Sequence, residues 1–202
     1  MNSSEKVKYI SNWIKSYVEK MPNKAQSLVI GISGGIDSAL TASIAADVLG
    51  SKNIKSIFLP SIYTSKESRI DAQNLCQNLN INLEEISIEA SRKLILGELS
   101  FLFKNFKKDI TEENIQSRIR GLLLMALSNK FNSLLLTTGN KSELLVGYST
   151  LYGDMCGGFS LLKDLYKTEV NELCKWRNRN TSNRFRINKK DIIPLNIIHK
   201  EP

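Results

Sequence analysis

Between Val29 and Gly50 the sequence reads VIGISGGIDSALTASIAADVLG, and at its centre Ser33, Gly34, Gly35, Ile36, Asp37 and Ser38 bring together hydroxyls, glycines and one carboxylate. The glycines follow a continuous apolar run and precede an alanine-rich helical stretch. In that position backbone N–H groups and the positive end of a helix collect negative charge, so the loop suits phosphate. GxxxxGK[ST] is absent and no lysine follows the glycines, which excludes a Walker A loop; Gly31, Gly34 and Gly35 are spaced wrongly for GxGxxG. Ser33 and Ser38 can donate to phosphate oxygens. Asp37 would repel a bare phosphate, so its presence predicts a cation between them, and magnesium is the cation that phosphates and one or two carboxylates hold. The plainer alternative is that Asp37 caps the helix and the glycines make a tight turn.

The elements around this loop alternate. Val7, Ile10, Ile14, Tyr17 and Val18 recur at helical spacing, which predicts a helix over 4–20 ending near Pro22. SLVIGI (27–32) suits a strand buried on both faces, followed by a helix that Gly50 closes. Further strands are expected at 54–60, 83–88 and 133–138. Helices are expected from a Thr64/Glu67 capping box to about Asn80, then over 91–106, 111–130 and 167–176. The tail around Pro194 gives little pattern. Strands alternating with helices predict an α/β fold, a doubly wound parallel sheet with helices on both faces, in one domain over 1–202.

Of the 202 residues 42% are hydrophobic and 24% charged, enough for a real core. No apolar stretch approaches the ~20 residues of a bilayer span and the N-terminus has no signal-peptide core, so no membrane association and a cytoplasmic location are expected. Cys76, Cys156 and Cys174 are widely spaced and His199 is the single histidine, which argues against a disulfide framework and a zinc site. A net charge of +8 suits an anionic ligand or serves solubility alone.

The hexapeptide SGGIDS resembles the pyrophosphate-binding loop of the N-type ATP pyrophosphatases. NIQSRIRGLLLMALSNKF (114–131), LLLTTGNKSELLVGYSTLYGDMCGGFSLLKDLYKTEV (134–170) and FLPSIYTSKES (58–68) narrow the resemblance to NAD synthetase, nearer the synthetase module of its glutamine-dependent form. That resemblance implies an adenine nucleotide alpha hydrolase-like fold and a two-step reaction. The carboxylate of nicotinic acid adenine dinucleotide (deamido-NAD) attacks the α-phosphate of ATP, releasing pyrophosphate; ammonia then displaces AMP to leave NAD. It implies ATP as co-substrate, Mg²⁺, a homodimer, and no nucleic acid.

By the same resemblance Gly31, Ile32, Ser33, Gly34, Gly35, Ile36, Asp37 and Ser38 form the ATP phosphate loop, and Thr138 touches ATP. Glu143 is a magnesium or substrate ligand, and Lys167 reaches the phosphates. Asn114, Arg118 and Lys163 contact the dinucleotide, with Asp154 near its pyridine end. If the sheet reverses between its first and fourth strands, Asp37 and Glu143 face one another across the nucleotide and can share one cation. Taken by residue type alone, Asn114 is a helix N-terminal residue, Arg118, Lys163 and Lys167 are solvated charges, and GNKSE is a polar turn with Ser142 or Glu143 in a helix's first turn. Tyr63 is expected beside an adenine pocket whose contacts come from the backbone at Leu59 and Pro60. The apolar GLLLMALSNKF helix is expected in the core or at a subunit interface.

Two departures from the family pattern are expected to matter. The sequence is expected to lack the amidase domain of the glutamine-dependent form, so nitrogen is expected as free ammonia or from a separate glutaminase. The pattern also continues past His199-Lys200-Glu201-Pro202, so a C-terminally shortened domain is expected. Two other readings remain: an adenylating tRNA-modification enzyme using the late basic run WRNRNTSNRFRINKK, or an inactive nucleotide-binding homologue.

Overall fold

The computed structural model describes residues 1–21, 25, 27–183 and 185–200. The five strands, β1 (Ser27–Gly31), β2 (Ile54–Phe58), β3 (Leu83–Glu85), β4 (Ser133–Thr137) and β5 (Phe159–Ser160), form one parallel sheet in the order β3-β2-β1-β4-β5. The chain turns outward from β1 on both sides, so the crevice between the carboxyl ends of β1 and β4 is the switch point where such sheets take ligands.

The alternation of β1 explains the two layers. Leu28 and Ile30 enter one core, and Val29 enters the other. The larger core receives α1 (Ser3–Lys20), α2 (Ile36–Leu49), α3 (Lys66–Leu79), α7 (Lys167–Arg179) and α8 (Leu195–His199). The smaller receives α4 (Glu89–Phe103) and α5 (Ile110–Lys130). The sixth helix, α6 (Lys141–Val146), follows β4 at the crevice. α2 is the central helix: every residue from Ser38 to Asp47 is buried, and small side chains dominate that run. No helix among the described residues is long and apolar enough to cross a membrane.

Several boundaries differ from those the sequence predicts, for local reasons. α1 ends at Lys20 with an extended Met21; Pro22, the expected stop, lies outside the described residues, as do Glu201, Pro202 and position 184 of the late basic run. The cap of α3 is Ser65, whose hydroxyl accepts from Ser68 N at 3.1 Å, while Thr64 Oγ1 accepts from Ser61 N and closes the preceding turn. β2 and β3 end early, at Phe58 and Glu85, and α7 runs on to Arg179. The tail is packed: Ile192, Ile193, Ile197 and Ile198 are buried, and Asn178 bonds both the N–H and the carbonyl of Ile193.

Candidate active site

The strand-to-helix turn after β1 is built around two exchanges. Ser33 and Ser38 hydroxyls lie 3.1 Å apart; Ser38 Oγ accepts from Ser33 N at 3.2 Å and donates to Gly35 O at 2.9 Å. Gly35, not Asp37, is the N-cap of α2, and it provides no side-chain cap. The N-termini of α1, α3, α5 and α6 carry side-chain caps, whereas those of α4 and α8, like that of α2, do not. The first turn of α2 therefore keeps backbone donors for a ligand. Gly34 has φ +79°, and a Cβ there would stand 2.3 Å from the Ser68 carbonyl oxygen, so the loop is braced on the first turn of α3. Gly34→Ala combines the left-handed penalty with a backbone clash, together about 2 kcal/mol or more, and thermal melting should show a fall of about 4–8 °C.

Asp37 sits on the second residue of α2 and is held from two sides. Asn140 Nδ2 donates to Oδ1 at 2.9 Å, and the Lys167 ammonium donates to Oδ2. Asn140 is fully buried and caps α6 through a reciprocal box: its Oδ1 accepts from Glu143 N at 3.1 Å, and Glu143 Oε2 accepts from Asn140 N at 3.2 Å. Ser142 Oγ accepts from Lys167 N at 3.1 Å, so the cap of α6 also fixes the start of α7. Burial pushes the Glu143 carboxyl above its ordinary value; Asn140 N and Lys167 pull against this, while Asp37 and Asp154 add to it.

Two adjoining cavities open here. One, of about 470 Å³, is lined by Ser33, Asp37, Ser38, Thr138, Glu143, Asp154 and Lys163 among others. The second, of about 250 Å³, runs past Gly31, Ile32, Leu59 and Arg120. They meet at Ser33, Thr137, Thr138 and Asp154. The structure thus brings Ser33, Asp37, Ser38, Thr138, Glu143, Asp154 and Lys163 to one hollow, with Lys167 joined to it through Asp37.

Asn114 and Arg118 line neither cavity. Asn114 Oδ1 accepts from Thr150 Oγ1 at 3.0 Å and Arg118 Nε donates to Leu151 O at 3.2 Å, so they hold the 150–154 loop. Asp154 Oδ1 accepts from Thr150 N in that same loop, and Lys163 pairs with its neighbour Asp164 at 2.8 Å. Tyr63 is turned away, 65% exposed, with the Arg92 guanidinium over its ring.

Two residues were not anticipated. Asn140 had a visible signal, the N-x-x-E of a capping box in GNKSE. Arg120 had none beyond a helical position. Its Nε donates to Leu59 O at 2.9 Å, burial lowers the pKa of its guanidinium, and it forms no ion pair among the described residues. It therefore presents an uncompensated positive charge to the smaller cavity. Gly121 beside it lets the 150s loop approach, since a Cβ there would meet Gly153 O at 2.7 Å.

A cation fits this donor set. Glu143 Oε1 has no partner among the described residues, and Asp37 retains a second lone pair on each oxygen after its two bonds. Among the described residues no group of three or more His, Cys, Asp or Glu could hold a metal, so the shell would be completed by phosphate oxygens and water.

Residues 6–202 match the model of the NAD synthase family. The chain belongs to that family. It is 53% identical over 175 residues to the glutamine-dependent NAD(+) synthetase of Rhodobacter capsulatus, a match covering 87% of this chain and 32% of that protein. The glutamine-dependent NAD+ synthetase of Acinetobacter baumannii, solved with ADP, superposes with a TM-score of 0.92 at 41% identity, over 100% of this chain and 36% of that one. The NH3-dependent NAD synthetase of Campylobacter jejuni superposes at 0.79 and 32% identity, over 88% and 74%. The chain spans about a third of the length of the glutamine-dependent relatives it matches.

Proposed function

We propose that this chain amidates deamido-NAD to NAD, consuming ATP and releasing AMP and pyrophosphate, with the nitrogen delivered as ammonia. The observation that carries this reading is the constellation at the switch point: an uncapped helix N-terminus, with Asp37 tied to Lys167 and Asn140, beside a desolvated Glu143. In it the first turn of α2 binds the departing pyrophosphate with backbone N–H groups, and Lys167 carries positive charge to phosphate oxygens. The pocket holding Gly31, Leu59 and Arg120 takes the adenosine end, and the larger hollow takes the acid to be activated. A carboxylate oxygen of that acid forms the bond to the α-phosphorus as the bond to pyrophosphate breaks. Ammonia then adds to the acyl carbon, AMP leaves, and a proton is lost to give the amide.

No nucleophilic side chain enters either step; the chain's contribution is alignment and charge. Glu143 and Asp37 would hold Mg²⁺, which when bound neutralises charge on the phosphates. One named relative is called glutamine-dependent and another NH3-dependent, and ammonia is the nitrogen species that the reaction proposed here consumes. The exposed Leu94, Phe101, Leu102 and Leu122 of α4 and α5 support pairing with a second copy.

The test is formation of NAD, AMP and pyrophosphate from ATP, Mg²⁺, deamido-NAD and ammonium, with glutamine in place of ammonium as a parallel arm. Equimolar products with ammonium, and none with glutamine alone, are expected. ATP binding without any product would instead favour an inactive nucleotide-binding homologue.

A further inference from the structure

The Asp37–Lys167 contact has a counterpart at the other end of the same two helices. Asp47 lies ten residues beyond Asp37 on α2, and Arg177 lies ten residues beyond Lys167 on α7. Arg177 Nε donates to Asp47 Oδ2 at 2.5 Å and Nη2 to Oδ1 at 2.9 Å, with the two side chains 1% and 2% exposed. Ten residues span about 15 Å of helix. α2 and α7 therefore run parallel, joined by two acid–base rungs in equal register, one in the reaction hollow and one buried far from it.

The remaining donors of Arg177 are also used. Nη2 reaches Ile187 O at 2.6 Å, and Nη1 reaches Asn180 O at 3.1 Å and Lys189 O at 3.0 Å. The guanidinium thus ties the end of α7 and the following loop to α2. Between the rungs, the face of α2 that joins Asp37 to Asp47 at helical spacing carries Leu40, Thr41 and Ile44, all buried, while Ala39, Ala42, Ala45 and Ala46 lie on its other sides. Packing of Leu40 and Ile44 is non-directional, whereas the bidentate fork between Asp47 and Arg177 is directional, so the fork is the contact that specifies one register. A slip of one residue moves α7 by about 1.5 Å and turns it about 100°, which removes Lys167 from Asp37.

We propose that Arg177, through its buried fork on Asp47, is a positioning residue that sets the register of α7 on α2 and so holds the Lys167 ammonium against Asp37. Its importance for the reaction rests on the function proposed above; the register itself does not. Buried ion pairs are weak sources of net stability, and an apolar pair of similar volume can replace one with little loss of fold. What the apolar pair cannot supply is directional register.

The decisive variant is therefore Asp47→Leu with Arg177→Met, accompanied by Arg177→Lys, which keeps the charge and loses the fork. Circular dichroism and melting establish that each is folded. Lys167 acetylation by acetic anhydride, followed by peptide mass spectrometry, reads the distant contact without any catalytic assay. We expect labelling of Lys167 to rise at least threefold in the folded double variant, less in Arg177→Lys, with Lys93 unchanged as an exposed reference. In the same proteins kcat for AMP formation should fall tenfold or more, with KM for ATP changed less than threefold. Unchanged Lys167 labelling in the folded double variant overturns the proposal. If the unmodified chain forms no AMP, the functional reading fails, and the labelling still decides the register.

Discussion

Asp37→Asn should lower the rate of AMP formation by about 10²–10³-fold while leaving the fold intact. The substitution keeps the size of the side chain, and its amide can still bond Asn140, so the packing at the head of α2 survives. What disappears is the charge that fixes the Lys167 ammonium and that would hold the cation. Lys167, 39% exposed on its side chain, would then spread over its rotamers, and phosphates entering the hollow would meet it in the wrong place about as often as in the right one. The measurement is single-turnover AMP and pyrophosphate release at saturating ATP, beside a melting curve. A loss below tenfold with an unchanged melt would reduce Asp37 to a residue of the helix's first turn.

Much of this site is legible in the sequence because local chemistry announces it. SLVIGI and SLLLTT are continuous apolar runs, and strands buried on both faces must look so; both became central strands. SGGIDS reads as an anion loop from composition and placement, and the lack of a side-chain cap on α2 is the geometry on which the proposed phosphate role rests. β5 escaped because two residues after Gly157 and Gly158 carry no period; it exists only because β4 offers it a ladder. Thr64 and Ser65 are adjacent cap residues, and only the fold decides that the second one caps.

Long-range partners were the harder part. Lys167, judged by type and spacing alone, is a solvated lysine; its meaning comes from an aspartate 130 residues away. Arg120 and Arg118 look equivalent in IQSRIRG, yet one turns towards a cavity and the other towards the Leu151 carbonyl. The buried isoleucines after position 190 had no readable pattern because Asn178 fixes Ile193 through its backbone, and the helix that holds Ile197 and Ile198 is only five residues long.

Glu143→Gln should make the ligand-free protein more stable and less active at the same time. Burial raises the folded-state pKa of this carboxyl, so between the unfolded and folded values the folded protein binds more protons than the unfolded chain. Stability therefore falls as pH rises through that window and stays reduced above it. Glutamine keeps an oxygen for the Asn140 N–H of the capping box and removes the desolvated charge. Because the residue is only half-buried, solvent screening limits the gain, and a rise in Tm of up to about 2 °C at pH 7 is expected, vanishing near pH 4. AMP formation should fall about 10²-fold in the same variant, since the free Oε1 that would meet a cation is replaced by a group that holds one poorly. In the protein without Mg²⁺ the Glu143 carboxyl should titrate above the ordinary glutamate value when followed by NMR, and that signal should disappear in Glu143→Gln. The opposite pattern, a lower Tm with activity retained, would mean that Glu143 serves only to cap α6. Opposed signs in stability and rate are what a carboxylate kept desolvated for a ligand must produce, because the penalty it carries in the empty protein is relieved only when positive charge arrives.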